Sequence, residues 1–229
     1  MTNSPANNTD SLVMTVAVLG GTGKEGSGLS MRWALNGYRV IIGSRDATRA
    51  VTRAAELNEI IGGDYIVGMA NEQAAAEAEI VVLSVPYDAH RPTLEAVRPQ
   101  LTGKILVDVT VPLKPPQVRT VSVPTGYAAG LEAQQIVGDD VRVVSAFQNV
   151  SAVKLADPKT DVNCDVLVCG DDTDAKREVF RLVEAAGMKG IDAGPLANAV
   201  AAESLTPVLL YINKTYKVKG AGIRITNLD

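Results

Sequence analysis

One histidine and two cysteines are all that this chain of 229 residues offers as imidazole or thiol groups. That scarcity excludes a disulfide scaffold, a cysteine-rich metal centre and a histidine cage, and makes any Ser–His or Cys–His nucleophile depend on His90 alone. Aromatic residues are only 4% of the chain, too few for a base-stacking surface. Basic residues are also short, 22 against 26 acidic ones, and the net charge of −4 argues against nucleic acid or anionic membrane as a partner. No apolar run approaches the ~18 residues of a membrane span. The first 14 residues, MTNSPANNTDSLVM, lack the basic and apolar regions of a signal peptide. They are expected to form a flexible leader, with a cytoplasmic location by default.

What is present suffices for a core: 46% of the residues are hydrophobic, and the length allows one large domain or one and a half. Short β-branched runs alternate with helical periods. Thr15 to Leu19, Arg39 to Ile42, Ile80 to Val85, Lys104 to Asp108 and Val141 to Val144 read as strands, several of them apolar at consecutive positions as in strands covered on both faces. Tyr65 to Val67 is a weak further strand. Between them, Asp46 to Ile61 places Ala50, Ala54, Leu57 and Ile61 on one helical face and ends at Gly62-Gly63. Glu72 to Ala78 is a short helix, and the proline-rich Pro112 to Pro124 resists regular structure. A strand Asp165 to Cys169, a helix Thr173 to Ala186, a strand Lys189 to Asp192 and a terminal helix follow, with Pro207 in that helix's first turn or kinking it. The pattern predicts an α/β fold: a Rossmann-like, doubly wound, mainly parallel sheet over residues 15–149, with a smaller C-terminal α/β portion over 150–229.

The chemistry is concentrated after the first strand. In Leu19-Gly-Gly-Thr-Gly-Lys-Glu-Gly26, the residues Gly21, Gly23 and Gly26 form G-x-G-x-x-G at a strand-to-helix turn. Gly21 is expected to permit the tight turn, Gly23 to let a pyrophosphate approach the backbone, and Gly26 to let helix and strand pack closely. The end of the second strand reads Gly43-Ser44-Arg45, with Arg49 one helical turn on, where an NAD site has an acidic residue. Two guanidinium groups and a hydroxyl suit the 2′-phosphate of NADP.

His90 lies beyond Val85-Pro86-Tyr87 at the carboxyl end of a strand, either solvated on a loop or facing a substrate. Cys164 and Cys169 flank a strand and point to opposite faces, so they form neither a redox nor a metal pair. Asp171-Asp172 reads as the cap of the following helix rather than a metal site, and no metal is expected.

With these residues in hand the chain resembles the F420-dependent NADP oxidoreductases. The likeness is carried by Leu19-Gly-Gly-Thr-Gly23, Ile42-Gly-Ser-Arg45, Val168-Cys-Gly-Asp-Asp172, Asp192-Ala-Gly-Pro-Leu196 and Glu203-Ser-Leu-Thr-Pro207, in that order. The resemblance implies reversible hydride transfer between NADP(H) and the deazaflavin coenzyme F420. It also implies that Thr22, Gly23, Lys24 and Glu25 hold the pyrophosphate, and that Ser44, Arg45 and Arg49 take the 2′-phosphate. Val85, Pro86 and Tyr87 wall the nicotinamide, and Ala152 offers backbone to its carboxamide. The deazaflavin stacks between Ser145 to Asn149 and Gly220 to Ile223, a segment that includes Ala221. Gln148 stands where some relatives have histidine; as an amide it can donate to a ring carbonyl. No general acid is obligatory for hydride exchange between two rings, so no catalytic acid or base is assigned. The alternatives are an NADPH-dependent reductase of a small carbonyl or imine, with His90 or Tyr87 as proton donor, and a non-catalytic NADPH-sensing protein. The apolar Val208 to Ile212 suits either core or a two-fold interface, and a homodimer is the expectation.

Overall fold

A computed structural model of the protein describes residues 14–228, so all of the expected leader except Met14 lies outside the described residues. Strands β1 (Thr15–Leu19), β2 (Arg39–Ser44), β3 (Ile66–Ala70), β4 (Ile80–Leu83), β5 (Ile105–Asp108), β6 (Arg142–Ser145), β7 (Asp165–Gly170) and β8 (Lys189–Asp192) form one sheet in the order β3-β2-β1-β4-β5-β6-β7-β8. The helices are α1 (Lys24–Leu35), α2 (Ala47–Ile61), α3 (Asn71–Glu77), α4 (Tyr87–Leu101), α5 (Ala129–Val137), α6 (Ala152–Leu155), α7 (Thr173–Ala185) and α8 (Ala199–Tyr216).

From β1 to β6 every pairing is parallel, and the order reverses between β1 and β4, which opens a crevice at their carboxyl ends. The expected doubly wound fold is the one found. Residues beyond 149 do not leave this sheet: β7 joins β6 in antiparallel sense and β8 runs parallel to β7. The consecutive apolar residues of β1 explain themselves here. Val16 and Val18 enter one core layer with Trp33 and Phe147, while Ala17 and Leu19 enter the other with Leu94 and Leu101.

Local signals set most of the ends. Asp46 caps α2 through Thr48 N and Arg49 N, and Gly62, in the left-handed region, closes it. Asp172 caps α7 through Ala175 N at 2.6 Å, as expected, and Asp171 accepts from Leu196 N. Cys164 and Cys169 do fall in opposite core layers. Three prolines lie inside helices: α4 runs through Pro92 and Pro99, and Pro207 lies in the interior of α8, past the first turn that was one of its two expected places. β3 begins one residue later than expected, at Ile66.

The C-terminal part is fastened to α1 by two contacts. A Cβ on Gly28 would come within 2.6 Å of Leu155, so α1 and α6 cross at a distance only glycine permits. Beside it Arg32 is buried and donates to the carbonyls of Ala186 at 3.0 Å, Asp157 at 2.8 Å and Thr160 at 2.7 Å. A second tie runs from α8 to α5. Glu203, buried, accepts from Ala129 N at 2.8 Å and Gly130 N at 3.1 Å, which takes up the first amides of α5. Burial pushes its carboxyl from 4.5 up to about 8, with Asp108 and Glu132 adding and the two amides opposing.

Two outcomes follow from these ties. Arg32→Ala removes the buried donor shared by three backbone carbonyls, of which Asp157 O keeps its bond from Thr160 N, and should lower the unfolding free energy in urea by about 2–4 kcal/mol. For Glu203, the folded state keeps a proton that the unfolded chain releases near 4.5, so its stabilising contribution is full below that pH and is lost as pH rises toward about 8. Urea unfolding followed across that window should show a decline for the wild type and a flatter profile for Glu203→Gln, and identical profiles would contradict the assignment.

Candidate functional site

A cleft of about 670 Å³ lies along the carboxyl ends of the central strands. One end is the turn between β1 and α1. The left-handed residue of that turn is Gly20, at φ +79°, whose Cβ would come 2.3 Å from Ser84 O. Gly21, expected to make the tight turn, is instead needed for close approach, since a Cβ there would meet Ile42 at 2.7 Å. Gly26 packs on Gly21, with a Cβ contact of 2.9 Å, as expected for close helix–strand packing. Gly23 faces outward and caps α1 without a side-chain acceptor, which leaves its first-turn amides to an anion. Lys24 and Glu25 line the cleft beside it. Burial pushes the Glu25 carboxyl up to about 8, so near neutral pH it is largely uncharged and does not repel a phosphate.

Gly20 N donates to Gly43 O at 3.1 Å, which brings the end of β2 against this turn. Ser44 accepts from Asp46 N, and Arg45 and Arg49 are exposed beyond it. Neither arginine takes part in an ion pair among the described residues. Ser44, Arg45 and Arg49 stand outside the cleft's own lining.

The middle of the cleft is walled by Val85, Pro86 and Tyr87 on one side and by Val109, Thr110 and Val111 on another. His90 corrects the loop reading: it is buried in the first turn of α4, with Nε2 2.7 Å from Asp108 Oδ2, and it does not line the cleft. Tyr87 stacks on it at 6.0 Å between ring centroids and donates its hydroxyl to Glu132 at 2.7 Å. Burial and Glu132 raise the Tyr87 phenol above its ordinary range.

At the far end stand Gln148, Asn149 and Ala152, faced by α8 and by Lys219 to Ala221. Ala221 N donates to Asn213 Oδ1 at 2.9 Å, and a Cβ on Gly220 would meet Ser151 and Lys154 at 3.0 Å, so the tail closes against α6. The amide of Gln148 differs from its expected use. Its nitrogen donates to Asp108 O and to Ser145 Oγ, both at 2.7 Å, so its oxygen, not its nitrogen, remains for a ligand. The cleft thus gathers Gly23, Lys24, Glu25, Val85, Pro86, Tyr87, Gln148, Ala152 and Ala221, with Gly21 and Thr22 in the turn at its end and Gly26 in the first turn of α1.

The sequence reading missed Thr110 after β5, Leu113 and Val118 from the proline-rich loop, and a face of α8. A signal existed for the second: Thr206, Leu209, Leu210 and Asn213 follow the i, i+3, i+4, i+7 spacing of one helical face.

Four buried side-chain oxygens along this cleft have no hydrogen-bond partner in the protein: Glu25 Oε1, Thr110 Oγ1, Gln148 Oε1 and Asn149 Oδ1. Buried polar atoms are normally paired, so their grouping here fits a polar ligand with an apolar body, as a dinucleotide and a tricyclic ring are. Among the described residues no group of three or more His, Cys, Asp and Glu is placed to hold a metal, and no helix is long and apolar enough to cross a membrane.

Residues 15–112 match the family described as NADP oxidoreductase, coenzyme F420-dependent. The F420-dependent NADP reductase of Methanothermobacter thermautotrophicus is 42% identical over 224 residues, covering 95% of this chain and 97% of the relative. That of Methanocaldococcus jannaschii is 42% identical over 228 residues, covering 94% and 100%. Among solved structures, a hypothetical protein from Sinorhizobium meliloti shares the fold, with a TM-score of 0.68 at 23% identity, covering 86% of this chain and 90% of that one. Identity at that level along the whole length of both reductases, on a fold with this cleft, means that the chain belongs to the F420-dependent NADP reductase family.

Proposed function

We propose that the cleft takes NADP(H) and coenzyme F420 together, and that the chain transfers hydride reversibly between them. The observation that carries the reading is the row of four unpartnered oxygens along one apolar-walled cleft at the sheet's switch point. When bound, the nicotinamide and the deazaflavin supply the hydride chemistry; the protein orients them and excludes water.

In this reading Thr22 to Glu25 hold the pyrophosphate on the free amides of α1, with the Lys24 side chain beside them and Gly26 packing the helix on the turn. Ser44, Arg45 and Arg49 take the 2′-phosphate, Val85, Pro86 and Tyr87 wall the nicotinamide, and Ala152 offers backbone to its carboxamide. Gln148 and Ala221 contact the deazaflavin. Residues 15–149 form the NADP-binding part, and 150–229 complete the deazaflavin site. The two side chains that a carbonyl or imine reductase would use as proton donor are engaged elsewhere: His90 with Asp108, and the Tyr87 hydroxyl with Glu132. That favours an exchange needing no acid. A cytoplasmic homodimer belongs to the same proposal, supported by the exposed Val208 and Tyr211 on α8.

Anaerobic mixing of enzyme, NADPH and F420 should bleach the visible absorbance of the deazaflavin, and NADP with the reduced coenzyme should restore it. Absence of turnover in both directions, with both cofactors shown to bind, would overturn the proposal. For cofactor choice, Arg45→Ala with Arg49→Ala should weaken NADP binding by about 2–4 kcal/mol, through lost charge-assisted hydrogen bonds. NAD binding should hardly change, and equal losses for the two dinucleotides would show that these arginines do not read the 2′-phosphate.

A further inference from the structure

We infer that Gln148 is a fixed hydrogen-bond acceptor which selects a ring bearing an imide N–H, the pyrimidinedione end of the deazaflavin; the inference rests on the proposed function. An amide side chain has a donating and an accepting end, and which one meets a ligand is decided by its other bonds. Here the choice is forced. The group 2.7 Å from the terminal nitrogen is the backbone carbonyl of Asp108, which can only accept. Turning the amide over would set two carbonyl oxygens against each other at that distance. Ser145 Oγ, also at 2.7 Å, takes the second N–H. Gln148 Oε1 is left buried, without a partner, on a residue only 3% exposed that lines the cleft.

The residue that follows is built the same way. Asn149 donates from its amide nitrogen to Asp165 O at 2.7 Å, and its Oδ1 is also buried and unpartnered. Two adjacent amides on residues that line the cleft therefore turn their donors into the protein and leave their acceptors buried and unpaired. The backbone of Gln148 is held from the other side, where Thr206 Oγ1 donates to its carbonyl at 2.6 Å, and the side chain cannot swing to a new partner without breaking its own two bonds. This tie to α8 puts Gln148 in the half of the cleft given to the deazaflavin. Of that ring's hydrogen-bonding groups the carbonyls only accept; its donors are the imide N–H between them and the 8-hydroxyl at the opposite end. Oε1 pairs with the imide, the donor that N3-methylation removes.

The test uses hydride transfer from NADPH to 8-hydroxy-5-deazariboflavin and to its N3-methyl derivative, by wild type and by Gln148→Met. Methylation should lower kcat/KM of the wild type about tenfold, the worth of one neutral hydrogen bond. In Gln148→Met the two substrates should be used almost equally, with KM for NADPH unchanged. Methionine is of similar length, so a penalty that is only steric persists in the variant, and its persistence would overturn the inference. Equal dissociation constants of the two rings for the wild type would overturn it as well, and that measurement needs no variant to fold. Wild type that transfers no hydride to F420 itself overturns the proposed function together with this inference; transfer with an equal methylation penalty in both proteins overturns the inference alone.

Discussion

Asp108 ends a central strand with no exposure to solvent, and satisfying that one buried carboxyl organises most of the cleft. A buried carboxyl is tolerable only when its oxygens are met by donors. Oδ2 is met by His90, which fixes the first turn of α4 and with it the tyrosine that lines the cleft. Oδ1 is met by Thr110 N at 2.9 Å, which starts the proline-rich loop in a defined direction. The backbone carbonyl of the same residue accepts from Gln148 and from Ala146 N, so the segment that follows β6 is positioned by it too. Three walls of the site thus share one anchor, and a change there is felt in all of them.

The other constraint is steric. The turn after β1 is pressed between Ser84 and Ile42 so closely that no side chain fits at Gly20 or Gly21. This squeeze leaves backbone amides, rather than side chains, at the mouth of the cleft. It also brings the end of β2, with its arginines, to the same edge. Arg32 and Gly28 do the corresponding work at the back of α1, holding α6 and the carbonyls around it against the phosphate-binding helix. The parts that hold the dinucleotide and the parts that complete the second ring site are therefore coupled through one helix.

Much of the fold was legible because its signals are local. A both-face apolar run such as Val16 to Leu19 has one comfortable place, the middle of a covered sheet, and Asp46, Gly62 and Asp172 cap or close helices through bonds spanning a few residues. The glycine turn and the arginines after β2 were legible for the same reason. Where the reading erred, a distant contact had overridden the local preference. His90 reads as a solvated or substrate-facing loop residue only until Asp108, 18 residues away, takes its ring. Gln148 reads as a donor until a carbonyl from another strand claims its nitrogen.

The chain's sequence by itself determined the alternation of strands and helices, the place of the phosphate turn and the chemistry of its edge. Each depends on residue type and on neighbours a turn or a strand away. Only the tertiary structure decided which groups stay free. Whether a histidine is buried in a wall, whether an amide offers nitrogen or oxygen, and whether a glutamate titrates near 8 depend on partners and burial supplied by segments remote in sequence. Hydrogen bonds are saturable, so the availability of any one group is settled by all the others packed around it.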